Sequence, residues 1–190
     1  MVTPASLVDR FKEKAGPVSA VVSSVASMDE AMAYVADICA NKEACQILAS
    51  GCDAPLSDTA GELCRTKGQK VICAPDIPDA DVATLTDLCA QRGIAVITTG
   101  MRERLGGIDI GLTMAAAGIA ETATIVVRSD SEEVRLASMV AEIHIAVLPA
   151  SAIVSDAYDL EPQLTEWMGQ SDYTAFVTGP SRTADIERVL

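Results

Sequence analysis

Aromatic side chains are nearly missing from this chain, with three Tyr, two Phe and one Trp among 190 residues. A core of ordinary size must therefore be aliphatic, a usage that suits parallel strands covered by helices on both faces. Basic residues are scarce too. Fourteen Lys and Arg against 27 Asp and Glu leave a net charge of −13. That balance excludes the basic surface that nucleic acid or an anionic membrane requires. No apolar run approaches the ~18 residues of a transmembrane helix. The start, Met1-Val2-Thr3-Pro4, has neither a basic flank nor an apolar signal core, so the expected location is the cytoplasm.

Several familiar sites are absent as well. There is no Gly-x-Gly-x-x-Gly turn, no Gly-Lys of a P-loop and no Gly-x-Ser-x-Gly elbow. A single histidine, His144, makes a hydrolase triad hard to build. It reads either as a structural residue at a strand start or as a proton-transfer group. Six cysteines stand at 39, 45, 52, 64, 73 and 89 without a Cys-x-x-Cys pair. They are expected to be reduced, mostly buried thiols, with a clustered metal or redox site in the 39–89 region as the alternative. No metal or cofactor is expected on this chain.

What is present is a regular alternation of strand and helix signals. Thr3-Pro4 opens a helix with Leu7, Val8 and Phe11 on one face and Gly16 as its stop. Val18 to Ser23 reads as a strand. Ser27-Met28-Asp29-Glu30 is a capping box before a helix carrying Met32, Val35 and Cys39. Cys45 to Ala49 reads as a strand and Thr59-Ala60-Gly61-Glu62 as a second helix start. Val71-Ile72-Cys73, Ile94 to Thr98, Thr124 to Val127, Ile143 to Leu148 and Tyr173 to Thr178 are strand patterns. Asp79 to Arg92 and the segment after Ser131 are helical. Ile108 to Thr113 is short and extended or a turn, Met114 to Ile119 a turn or two of helix, and Ala150 to Met168 a long helix. The pattern predicts one α/β domain over residues 1–190 with a largely parallel sheet, whose ligands would sit beyond the strand carboxyl ends.

Two stretches carry chemistry. In Gly179-Pro180-Ser181-Arg182-Thr183-Ala184-Asp185, a sharp strand exit leads into a helix start with two hydroxyls and a fixed cation. A helix N-terminus of this kind either holds a small anion or is simply capped. In Ile119-Ala120-Glu121-Thr122-Ala123-Thr124, a carboxylate precedes an apolar strand between two threonines. Buried there, Glu121 would need partners or its pKa would rise toward acid–base use. Held by backbone N–H groups or an Arg, it would tie two loops together instead. Asp109, after Gly106-Gly107, reads as a turn residue.

These motifs, with Gly111-Leu112-Thr113 and His144-Ile145-Ala146-Val147-Leu148-Pro149-Ala150-Ser151, resemble the LUD-domain family in the family's own order. The family usually has Asp where Ala116 stands and Gly where Ala123 stands, and it continues beyond Leu190, so this chain is either naturally short or truncated at its C-terminus. The resemblance implies a three-layer α/β/α, Rossmann-like fold of the NagB/RpiA/CoA-transferase group. It also implies a component of a system oxidising L-lactate to pyruvate, beside partner subunits that carry iron–sulfur clusters. A small organic anion or a partner would bind through Thr113, Glu121, Thr122, Thr124, Ser181, Arg182 and Thr183. The alternative is a free-standing enzyme of that fold group, acting on a phosphorylated or CoA-linked metabolite with Glu121 as the catalytic group.

Overall fold

The alternation of strands and helices is realised in two separate sheets. A computed structural model describes residues 4–42, 69–104 and 107–180. In chain order the elements are α1 (Pro4–Ala15), α2 (Met28–Asn41), β1 (Val71–Cys73), α3 (Asp79–Ala90), β2 (Ala95–Ile97), β3 (Ile110–Met114), β4 (Ala117–Ile119), β5 (Thr124–Ser129), α4 (Glu132–Val140), β6 (Ile143–Val147), β7 (Ile153–Val154), α5 (Glu161–Trp167) and β8 (Tyr173–Val177). One compact unit spans Val25–Met114 and Ser131–Val147, and the other takes the remaining segments.

The first unit holds a parallel sheet of order β2-β1-β3-β6. Alternation along each strand sends side chains to opposite faces. Ile72, Ile110 and Leu112 join Met32, Val35 and Leu85 of α2 and α3 in one core. Cys73 faces the other way, toward Ala137 of α4. Helices on both faces make this unit a three-layer α/β/α sandwich. Gly111 is what lets α4 lie close, because a Cβ there would fall 1.8 Å from the Ala137 carbonyl oxygen. The α2 start follows its capping box: Ser27 Oγ accepts from Glu30 N, and Glu30 accepts from Ala26 N at 2.8 Å.

At the amino ends of these strands lies a buried ion network. Asp109, fully buried, accepts from Lys42 Nζ at 3.0 Å and from Val71 N at 2.8 Å. Lys42 Nζ also meets Glu142 at 2.5 Å. Burial alone would lower the Lys42 pKa, but the hydrogen bonds it donates to Glu142 and Asp109 outweigh it and hold the pKa above the ordinary lysine value. Lys70 Nζ donates to the Cys39, Ala40 and Lys42 carbonyls and so closes the α2 C-terminus. The expected turn residue Asp109 is thus the hub of a core network.

The second unit holds a mixed sheet of order β7-β4-β5-β8, in which β4 and β7 are parallel and the other pairs antiparallel. The apolar face of α1, with Leu7, Val8 and Phe11, packs on Ala120, Ala123 and Ile153. Leu160 and the partly buried Leu164 and Trp167 cover Val126 on another core.

Three expectations need correction. Residues 18–23 do not form a strand: a 3-10 turn spans Gly16–Val18, and Ser19 takes φ 61, outside the extended range. Met114 to Ile119 is not helical, because Ala116 N donates to Val126 O at 2.8 Å and β4 pairs with β5, overriding alanine's helix preference. Ala150 to Met168 is not one helix. Asp156 Oδ1 accepts from Tyr158 N and Asp159 N, and Asp159 accepts from Ser155 N, so local side-chain bonds compete with helical ones. The helix begins only at Glu161. The strand expected at 45–49 and the helix start at 59–62 lie outside the described residues.

Asp109→Ala removes one partner of a buried ion pair and should cost about 3–5 kcal/mol. The expected readout is a lower urea midpoint with an unchanged slope. A variant as stable as the parent would show that the network is not what holds the strand ends.

Candidate functional site

The turn between β4 and β5 gathers the most chemistry. Thr122 Oγ1 lies 2.7 Å from Thr124 Oγ1, which lies 2.7 Å from Thr178 Oγ1. Thr124 is buried, while Thr122 and Thr178 are exposed, so the three hydroxyls run from the sheet to solvent. The antiparallel pairing of β5 with β8 brings Thr178 beside Thr124, because Ile125 stands opposite Val177.

Glu121 stands beside this chain of hydroxyls in sequence, and solvent reaches its side chain, which is 55% exposed. It is therefore not the desolvated carboxylate that an apolar strand mouth would have made. Arg10 of α1 approaches it to 3.9 Å, and Arg10 Nη1 donates to Ser155 Oγ at 3.3 Å. The Glu121 amide donates to the Ser155 carbonyl at 3.1 Å. Ser155 thus ties the turn after β7 to the turn after β4, and the guanidinium stands over both. Of the two readings of Glu121, this arrangement matches the carboxylate that joins loops through an Arg.

Ala123, in the same turn, has φ 52, in the left-handed region. Glycine enters this region without the Cβ strain of about 1–2 kcal/mol that Ala123 carries here. Gly179 is left-handed as well, at φ 71, and a Cβ on it would lie 2.1 Å from the Val18 carbonyl oxygen. The glycine of the Gly-Pro-Ser-Arg-Thr motif is thus set by backbone geometry. Ser181, Arg182 and Thr183 lie outside the described residues.

Thr113 belongs to the parallel unit. Its Oγ1 lies 2.9 Å from His144 Nε2, across the β3–β6 ladder. Burial pushes the His144 pKa below the ordinary imidazole value of 6.5. The described cysteines Cys39, Cys73 and Cys89 are buried and free. Burial pushes their thiols up, Cys39 to about 11 and Cys73 to about 12, which disfavours the reactive thiolate. Among the described residues no group of three metal-ligating side chains comes together, and no helix is long and apolar enough to cross a membrane.

Sequence reading missed Arg10, Ser155 and Thr178. Arg10 had a signal, since it stands three residues after Leu7 on the inward stripe of α1. Ser155 had none, because the expected long helix concealed its turn.

The family profile of the LUD domain matches residues 8–190. Lactate utilization protein C of an Exiguobacterium species is 36% identical over 86 residues, 43% of this chain and 37% of that protein. Lactate utilization protein C of Bacillus velezensis is 32% identical over 129 residues, 66% of this chain and 51% of that protein. The matches thus span about half or less of these relatives' length. The crystal structure of a DUF162 family protein from Deinococcus radiodurans aligns with TM-score 0.56 and 14% identity, over 94% of this chain and 90% of that one. At that identity the likeness speaks for the α/β fold alone.

Gly179→Ala should cost more than about 2 kcal/mol by combining left-handed strain with a backbone clash, seen as a lower thermal midpoint. An unchanged midpoint would remove the geometric account. Because the His144 pKa is depressed on folding, the unfolded chain takes up the proton first. Stability should therefore fall as pH drops through 6.5 and level off below the folded value. His144→Gln should flatten that slope, and the single imidazole resonance reports the folded titration directly.

Proposed function

Because the chain belongs to the LUD-domain family, whose profile covers residues 8–190, we propose that it serves as a component of a lactate-utilization system. In this reading L-lactate is oxidised to pyruvate by an assembly whose iron–sulfur clusters reside in partner subunits. The chain contributes a binding surface in the cytoplasm, and residues 1–190 act as one LUD-like domain. The relatives named lactate utilization protein C support the system. The observation that supports a small organic anion is Arg10. Its partly exposed guanidinium gives one hydrogen bond to Ser155 Oγ and stands 3.9 Å from Glu121, and a fork of five donors suits a second carboxylate beside it. The exposed hydroxyls of Thr122 and Thr178 could receive the hydroxyl of a 2-hydroxy acid. Ser181, Arg182 and Thr183 are proposed for the same set, whereas Thr113, fully buried with its hydroxyl on His144, is not.

The other reading, a free-standing enzyme acting on a phosphorylated or CoA-linked metabolite, rests on Glu121 as the catalytic group. An exposed, Arg-paired carboxylate suits binding better than covalent or acid–base work.

The test is L-lactate-dependent dye reduction by the reconstituted system, with and without this chain. Omission should bring the rate to background. Arg10→Ala should lower it more than about tenfold by loss of a charge-assisted contact, while Glu121→Gln should retain most of it. Full activity without the chain would sink the proposal, and a dead Glu121→Gln protein that still folds would favour the enzyme.

A further inference from the structure

In the antiparallel unit, β8 lies at one edge of its sheet. Among the described residues it pairs with β5 alone, so its outer row of N–H and C=O groups is open to another strand. Proteins usually protect such an edge with a very short strand, a charge, a proline or a bulge. The opposite edge follows that rule, since β7 is only Ile153–Val154. β8 does not. Tyr173–Val177 is five residues long and holds neither charge nor proline.

An apolar groove runs beside this edge. It has a volume of about 380 Å³, and Trp167 and Met168 face Thr174 and Phe176 across it. Strand pairing sets Phe176 beside Val126 and Thr174 beside Arg128, on the sheet face that α5 covers. Tyr173 stands on the other face. Met168 is 85% exposed, Tyr173 52% and Phe176 49%. Asp172, the one charged residue of the groove lining, is met by Arg128, whose guanidinium lies over the Trp167 ring. Covering the groove would therefore bury no unmatched charge.

Groove wall and exposed phenyl belong to the same strand, with Ala175 between Thr174 and Phe176. A twofold axis through Ala175 would set β8 antiparallel to its own copy. Residues directly opposite in such a pair lie side by side on one face. Phe176 of each copy would then stand opposite Thr174 of the other and close its groove. On the second face Tyr173 would meet Val177. A twofold contact uses one patch on both subunits, and this patch is complementary to itself. Its size sets its strength. Aromatic side chains bury about 150–250 Å² each, so half-covered Tyr173 and Phe176 offer about 200 Å² more per copy. With Met168 and the strand backbone added, the contact stays below the roughly 1,200 Å² of a stable complex. Each copy also carries a charge of −13, and long-range repulsion opposes the encounter.

We propose that the chain forms a weak twofold dimer by pairing β8 with β8 of a second copy, Ala175 on the axis and Phe176 of each copy in the groove of the other. The dimer does not depend on the lactate reading.

The test is sedimentation equilibrium of the whole protein over a range of concentrations, at low and at high salt. A reversible monomer–dimer equilibrium is expected, tighter at high salt because screening weakens the repulsion. Phe176→Asp would place an unpaired charge in the groove and should weaken the dimer more than about tenfold, with the thermal midpoint retained. Met139→Ser, at an exposed apolar residue of the parallel unit, should leave the dimer unchanged. Ala175→Cys should gain a disulfide-linked dimer over the parent on mild oxidation, because residues opposite each other on the axis lie about 5 Å apart between Cα atoms. Tyr173→Cys should gain none, since its copy would lie about 13 Å away along the strands. A chain that stays monomeric up to about 1 mM, whatever else fills the groove, overturns the proposal. So does equal cross-linking through residues 173 and 175, or a dimer lost in Met139→Ser and kept in Phe176→Asp. Should Phe176→Asp fail to fold, the two cysteine variants still decide.

Discussion

The parallel unit hangs on the ion network around Asp109. One carboxylate holds the Lys42 ammonium and the Val71 amide, while Lys42 reaches on to Glu142. These contacts tie the end of α2 to the starts of β1, β3 and β6. Isolated charges at such depth would be costly, and a pair returns that cost only when its geometry and further hydrogen bonds are good. Here the carboxylate is fully buried and meets both a cation and a backbone donor. The network fixes which strand ends meet, which apolar burial, being non-directional, does not specify.

With the amino ends locked, the carboxyl ends are free to carry chemistry. Gly111 brings α4 against the sheet, and that approach carries Glu133 to the Gly100 and Met101 amides. The antiparallel unit is built differently. Its pairing of β5 with β8 lines up Thr124 and Thr178, and its turns, held by Ser155 and Asp159, present Arg10 and Glu121 to solvent. Each unit places polar groups where its own topology leaves strand ends or turns uncovered.

The elements with strong periodicity or explicit caps were legible from sequence: α1 from Pro4, α2 from its capping box, and α3, α4 and the apolar strands from their spacing. The α/β class and its parallel sheet followed from the same signals. What escaped was decided by partners distant in the chain. The alanine-rich stretch before Glu121 joins a sheet because Val126 offers a carbonyl. The long apolar stripe after Pro149 breaks because Asp156 and Asp159 bond locally and Ile153 pairs with Gly118. Of the candidate site, Glu121, Thr122 and Thr124 could be picked from sequence as a motif. Arg10 could not be joined to them, since 111 residues of chain separate the two charges of that ion pair. The importance of Asp109 was equally hidden, because an acid two residues after a Gly-Gly pair looks like a turn residue until its burial is known.

His144 has one further consequence. It is the sole histidine, and burial lowers its pKa. Among the side chains, carboxylates ordinarily titrate well below neutrality and lysines well above it. Cysteine thiols aside, the side-chain charge of this strongly acidic protein therefore changes little just above neutrality. Partners that meet it by electrostatic attraction would feel changes in ionic strength, through a screening length of about 8 Å at physiological salt, far more than changes in proton concentration.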